Sequence, residues 1–126
     1  MDEYQDPPFF AHAVLKRPCM YTVNGTYGEI IAFLTGYYSG GSHPPPPKWA
    51  EATSWGRFNS WLAEKLQSDH NNPHRVIAGR YGDKTLEHFE DYFSEWWLSE
   101  YSMTPDAHAT KLHSESQVYI NRMKAL

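Results

Sequence analysis

The sequence predicts an all-α fold, a compact single-domain bundle of about five helices over residues 1–126, with a proline-rich loop at residues 42–47. Apolar residues recur at helical spacing through most of the chain, and no alternating run of β-branched residues indicates a strand. Prolines and glycines divide the chain into pieces of helical length. At 126 residues, 40% of them hydrophobic, the chain can bury one core without a metal or a disulfide.

The first predicted helix covers residues 9–16 and follows a segment, residues 1–8, that we expect to be flexible. The helix should end there because Pro18 disfavours the α conformation at Arg17. Cys19 is the only cysteine, so an intramolecular disulfide is excluded, and we expect a small buried residue at a turn.

A second helix should begin after Thr26, which with Glu29 has the spacing of a capping box, and carry apolar residues as far as Tyr38. The proline run within residues 42–47 is predicted to be neither helix nor central strand but an extended spacer. A second interpretation is that it docks onto an aromatic groove of another protein.

The second half of the chain begins with an amphipathic helix over residues 48–67 and a short helical segment around residues 76–81. Asp83 is the predicted N-cap of a helix that reaches Tyr101, and Thr104 is the predicted N-cap of the last helix. The apolar stripe of the last helix is weak and consists of Leu112, Tyr119, Met123 and Leu126.

The helix that follows Asp83 separates apolar residues from acidic ones. Five large apolar side chains share one face, which should pack into the core: Leu86, Phe89, Phe93, Trp96 and Trp97. Six acidic residues and one lysine leave five excess negative charges on this helix, whereas the whole chain carries −4. The acidity of the protein is therefore concentrated on a single element.

This acidic face has two interpretations. Charged helix faces are commonly just solvated, and acids near a helix N-terminus interact favourably with the macrodipole. An apolar residue surrounded by carboxylates is also typical of a surface that recognises a basic protein. Under this second interpretation the partner-binding residues are Glu87, Glu90, Asp91, Glu95 and Leu98.

No motif in the sequence indicates catalysis, a cofactor or a metal site. Of the seven histidines, His70 and His74 have helical spacing, but the intervening Asn71-Asn72-Pro73 prevents a continuous turn. A net charge of −4 does not favour direct nucleic-acid binding. The acidic N-terminus lacks the basic start of a signal peptide, and no apolar run is long enough to span a membrane, so we expect a cytoplasmic protein.

The order of segments resembles that of small immunity proteins from bacterial polymorphic-toxin systems. The resemblance covers roughly residues 10–100 and starts with Arg17-Pro18-Cys19-Met20-Tyr21, where the family usually has a glycine in place of Cys19. An aromatic helix with Phe58 and Trp61, then Gly82-Asp83 before an acidic helix, continue the pattern. The resemblance implies that the protein binds a cognate toxin in the cytoplasm and blocks it.

Many such toxins are basic enzymes, so the acidic helix would be the inhibitory surface. Two other classes stay open. One is a non-catalytic adaptor or regulatory protein that uses Trp49, the proline run or the aromatic residues. The other is a small enzyme with an unrecognised site, which a deep polar pocket containing a histidine and a buried carboxylate would support.

Overall fold

A computed structural model describes residues 6–39, 46–68 and 73–125, and within these ranges the chain is helical without a strand. The all-α prediction is therefore confirmed. The helices are α1 (Phe9–Lys16), α2 (Pro18–Tyr21), α3 (Tyr27–Ser39), α4 (Pro46–Lys65), α5 (Pro73–Tyr81), α6 (Thr85–Tyr101) and α7 (Pro105–Ala125). None of the described helices is both long and apolar enough to cross a membrane.

Two predicted helix boundaries are confirmed in detail. Helix α1 ends at Lys16, and Arg17 leaves the α region with φ −137° and ψ 65° before Pro18. At the start of α3, the Glu29 amide donates to Thr26 Oγ1 at 3.3 Å, and Glu29 Oε1 accepts from the Thr26 amide at 3.3 Å. This reciprocal pair is the predicted capping box.

The prediction for the proline run is wrong at its C-terminal end. Pro46 and Pro47 belong to the first turn of α4. Proline is compatible with this position because the first amides of a helix have no intrahelical acceptor to bind. The other residues of the predicted loop, 42–45, lie outside the described ranges, as do residues 1–5 of the segment predicted to be flexible.

Residues 6–8 of that segment contact the body of the protein. Pro8 is fully buried, and the carbonyl of Asp6 accepts a hydrogen bond from Ser54 Oγ at 2.5 Å. Because Ser54 lies in α4, this bond connects the entrance of α1 to a helix that is distant in sequence.

The predicted N-cap at Asp83 is also wrong. Residues Gly82–Lys84 form a 3₁₀ turn, and α6 begins only at Thr85. Gly82 has φ +58°, which ends α5 and leads directly into this turn. The Thr85 hydroxyl, and not Asp83, supplies the local hydrogen bond, since it donates to the carbonyl of Gly82 at 2.5 Å.

The predicted N-cap at Thr104 is confirmed, because Thr104 Oγ1 accepts from the Ala107 amide at 3.2 Å. Pro105 occupies the first position of α7 and is buried. The beginning of α7 is thereby held against the body of the protein, where it contacts α1 and α6.

Aromatic side chains of α4 and α6 form the centre of the core. Phe58 and Phe89 are completely buried, as are Phe93 and Trp97 to within 2%. The Phe58 and Phe93 rings meet edge to face with centroids 5.0 Å apart. Burial of each such side chain contributes about 1.5–3 kcal/mol. The predicted inward face of α6 is confirmed, with Leu86 partly buried at its edge.

Candidate protein-binding surface

The acidic face of α6 is determined by the burial of its aromatic face. Because Phe89, Phe93 and Trp97 occupy the core, the residues on the opposite side of the helix are directed to solvent. All five residues predicted to bind a partner are exposed: Glu87, Glu90, Asp91, Glu95 and Leu98. Half of the Leu98 surface is accessible, at 50%.

The acids of α6 differ in whether a cation neutralises them. Glu95 Oε2 lies 2.7 Å from Lys65 Nζ, and Glu100 forms an ion pair with Arg57. Both cations belong to α4, so these pairs join α4 and α6. Neither ion pair is visible in the sequence, because α4 and α6 are distant along the chain. The two ion pairs reduce the negative charge that Glu95 and Glu100 present to a partner.

Glu87 and Asp91 have no cation within 4 Å among the described residues. They are one helical turn apart, and Leu98 lies between them on the helical wheel. The uncompensated part of the acidic face is therefore Glu87, Asp91 and Leu98, which we call the α6 patch.

Glu90 lies beside this patch at a cavity of about 350 Å³ between α1, α6 and the start of α7. Partial burial raises the pKa of its carboxyl, and the charges of Asp91 and Glu87 raise it further, while Lys16 lowers it. The neighbouring carboxylates therefore repel one another. The cavity is lined by His12, Leu15, Lys16, Glu90, Phe93, Ser94, Thr104, Pro105 and Asp106.

One ion pair and one histidine–carboxylate contact at this cavity connect α1 to α7. Lys16 Nζ lies 3.0 Å from Asp106 Oδ1, and His12 Nε2 lies 3.2 Å from the same oxygen. Hydrogen bonding from Lys16 lowers the pKa of Asp106, whereas burial lowers the pKa of His12 despite the nearby Asp106. The Asp106 side chain is 65% exposed, and Glu90, the other carboxylate in the lining, is partly buried.

His74 lies in a partly buried chain of hydrogen bonds between three helices. Its Nδ1 is 2.6 Å from the Tyr27 hydroxyl and its Nε2 is 2.5 Å from Asn59 Oδ1. Asn59 Nδ2 donates in turn to the carbonyl of Trp55 at 2.8 Å. Burial lowers the pKa of His74 to about 4, so the ring is neutral near pH 7. In the Nε2–H tautomer, His74 donates to Asn59 and accepts from Tyr27.

Two other histidines also have structural contacts. The Trp97 indole N–H donates to His108 Nδ1 at 3.0 Å, and His88 stacks on Tyr81 with centroids 3.8 Å apart. Across residues 6–39, 46–68 and 73–125, no group of three or more His, Cys, Asp or Glu side chains could hold a metal ion. His70 lies outside these ranges.

Cys19 is exposed, so the prediction of a buried cysteine is wrong. It belongs to the short helix α2, which directs its side chain towards the following turn. There Gly25 has φ +66°, and a Cβ at Gly25 would lie 3.0 Å from Cys19 Sγ. The sulfur is accessible and at the same time limits the size of the residue at Gly25.

The outer part of α7 exposes apolar side chains that sequence reasoning treated only as a weak stripe. Leu112, Tyr119 and Met123 are all exposed, as are Val118 and Ile120. Leu126, the last residue of the predicted stripe, lies outside the described ranges. The helical spacing of Leu112, Tyr119 and Met123 is visible in the sequence, but their exposure depends on how the described helices pack and is not visible there.

The chain matches no family model, no curated protein and no solved structure.

Proposed function

We propose that this protein is a binding inhibitor that acts as an immunity protein and neutralises a basic toxin through the α6 patch. The observation that carries this proposal is the geometry of Glu87, Asp91 and Leu98. The two carboxylates are exposed without a cation within 4 Å among the described residues, and the half-exposed Leu98 lies on the same side of α6, about two turns beyond Asp91.

Charge repulsion within the α6 patch slightly destabilises the free protein, and binding of a cationic partner would remove this repulsion. Like charges one turn apart destabilise an isolated helix by a few tenths of a kcal/mol. The raised pKa of Glu90, due in part to Asp91 and Glu87, reflects the same repulsion. A cationic surface on a partner would compensate these charges and bury Leu98 at the same time.

The α6 patch lies on a helix that the core holds in a fixed position. Phe89, Phe93 and Trp97 hold the helix in the core, so the patch is presented on a rigid element that would lose little entropy on binding. The resemblance of residues 10–100 to immunity proteins supplies the class of partner. By this mechanism the carboxylates occupy the cationic site of a toxin enzyme and exclude its anionic substrate.

The test compares the wild-type protein with a Glu87→Gln/Asp91→Asn variant in affinity purification from the native lysate, at low and high salt. We expect the wild type to retain one basic protein at about 50 mM salt and to lose it at about 500 mM, where charges are screened beyond a few Å. With that protein purified, the variant should associate about tenfold more slowly. It should also fail to protect cells that express the partner.

A matched control removes two exposed acids elsewhere, Asp6→Asn/Glu64→Gln, and changes the net charge of the chain by the same amount. This control should behave like the wild type, because only the position of the lost charges differs. The proposal is refuted if both double variants bind equally well, or if the retained partner is insensitive to salt.

A further inference from the structure

The outer part of α7 is exposed to solvent. Every residue from 111 to 124 is exposed, including five large apolar side chains: Leu112 at 45%, Val118 at 51%, Tyr119 at 65%, Ile120 at 42% and Met123 at 53%. A single helix of this length is marginal in water unless an apolar face is covered. An exposed apolar stripe of this extent indicates an interaction surface.

The spacing of the stripe is that of a helix-pairing seam. Ala109, Leu112, Ser116, Tyr119 and Met123 follow one another at alternating steps of three and four residues, as in a coiled coil. The seam begins at the partly buried Ala109, where α7 leaves the body of the protein. It therefore continues outward from the part of α7 that packs against α1 and α6.

We propose that two copies of this chain associate by packing the outer parts of their α7 helices antiparallel. In this arrangement Leu112 lies opposite Met123 of the second copy, and Ser116 lies opposite Tyr119, so that a small residue faces the largest one. The two-fold axis repeats both pairs and gives four layers. In the same register residue 111 lies opposite residue 124 of the second copy, so the pairing extends along the whole exposed segment. The remaining helices of the two copies then lie at opposite ends of the pair.

Charge complementarity favours a second copy in this orientation. Glu115 and Arg122 flank the seam on the same side, one heptad apart, and such positions face each other in an antiparallel pair. Each Glu115 then lies beside Arg122 of the other copy, and symmetry gives two such pairs. In a parallel pair Glu115 would face Ile120, without charge complementarity. Within one helix, Glu115 Oε1 is 4.0 Å from Lys111 Nζ, a fully solvated pair that contributes little.

The length of the seam sets the expected strength of association. Residues 111–124 extend about 21 Å along the helix axis at 1.5 Å per residue. An interface of this size is at the small end of specific ones, so we expect a dimer with a micromolar dissociation constant. The association does not depend on the α6 patch, and it would persist if the proposed function proved wrong.

Sedimentation velocity of the full chain from about 5 to 500 µM tests the proposal in the micromolar range expected above. The mass should rise from 14.6 kDa towards twice that value. Glu115→Arg and Arg122→Glu should each raise the dissociation constant about tenfold, because they turn two attractive pairs into repulsive ones. Glu64→Arg and Arg75→Glu make the same charge changes at exposed sites on α4 and α5 and should have no effect.

The decisive sample is an equimolar mixture of the Glu115→Arg and Arg122→Glu proteins. In their antiparallel pair, the arginine introduced at position 115 of one chain faces the glutamate introduced at position 122 of the other. The native Arg122 of the first chain then faces the native Glu115 of the second, so dimers should reform with about wild-type affinity.

A wild-type monomer at the highest concentration would overturn the proposal and leave the stripe to a different partner. Failure of the mixture to dimerise, or no effect of the single variants, would overturn the antiparallel pairing. Circular dichroism should show that all four variants remain folded, since each substitution is at an exposed position.

Discussion

From the partly buried hydrogen-bond chain at His74 we expect the protein to lose stability in mild acid. The ring lies between the Tyr27 hydroxyl, 2.6 Å away, and Asn59 Oδ1, 2.5 Å away. Burial lowers its pKa from 6.5 to about 4. Protonation would add a charge in this site and remove the acceptor that Nδ1 presents to Tyr27. The folded state therefore disfavours the protonated form that the unfolded chain adopts below pH 6.5.

The sign and size of the effect follow from proton linkage. Between pH 6.5 and about 4, the unfolded chain binds a proton at this histidine that the folded chain does not bind. Stability therefore falls as the pH falls through this window, by about 1.4 kcal/mol for each pH unit. From pH 7 to pH 5 the loss due to His74 should be about 2 kcal/mol.

Urea denaturation of the wild type and of His74→Gln at pH 7 and pH 5 measures this contribution. The variant should be less stable at pH 7, because the chain from Tyr27 to Asn59 is broken, but its further loss at pH 5 should be smaller by about 2 kcal/mol. Effects of other titrating groups, such as Glu51 and Asp106, are common to both proteins and cancel in the difference.

His113→Gln is the matched control, because it removes an exposed histidine from the outer part of α7. It should show the same loss between pH 7 and pH 5 as the wild type. Equal losses in the wild type and in His74→Gln would refute the reasoning, as would an NMR titration of the His74 ring with a midpoint near 6.5.

Three further predictions concern other contacts. Tyr38→Phe should lower the free energy of unfolding by about 2–4 kcal/mol in urea denaturation, because the Tyr38 hydroxyl donates to Glu51 at 2.9 Å and accepts from the buried amide of Ala11 at 3.2 Å. Gly25→Ala should lower it by about 1–3 kcal/mol, since the new Cβ would have φ +66° and lie 3.0 Å from Cys19 Sγ. Cys19 should react with a thiol reagent in the native protein without denaturant, because it is exposed.

Matched variants show whether the losses of stability in Tyr38→Phe and Gly25→Ala come from the contacts at those positions or from the type of substitution. Tyr119→Phe removes the same hydroxyl from an exposed ring and should be neutral at low protein concentration. Gly36→Ala places a Cβ in open space within α3 and should stabilise the protein by up to about 1 kcal/mol. Equal effects of the two glycine substitutions, or of the two tyrosine substitutions, would contradict the local explanations. A Cys19 that reacts only in denaturant would contradict its exposure.

The sequence predicted those features that depend on neighbouring residues. Pro18 ends α1, and Thr26 with Glu29 begins α3, because both devices act within a single turn. The inward face of α6 was predictable, since apolar residues at helical spacing share one side of the helix and are buried together when that side packs into the core. The same local rules failed at Asp83, where a positive φ at Gly82 and the Thr85 hydroxyl produced a 3₁₀ turn instead.

The candidate site was predictable only in part. Exposure of the acids follows from the periodicity of α6, but their neutralisation does not. Lys65 and Arg57 reach Glu95 and Glu100 from another helix. Only the packing of α4 on α6 therefore distinguishes these paired acids from Glu87 and Asp91, which form no ion pair with any residue of the described ranges. The role of Glu87 and Asp91 in binding a basic partner stays a prediction.

The sequence by itself thus determined the helical class, the ends at Lys16, Thr26 and Thr104, and the face of α6 that enters the core, because hydrogen bonding and hydrophobic periodicity act over one or two turns. The tertiary structure decided which polar groups were neutralised or buried. It enclosed His74 between Tyr27 and Asn59 and left the apolar side of α7 uncovered. These properties depend on distances between helices, which the residue spacing along one helix does not determine.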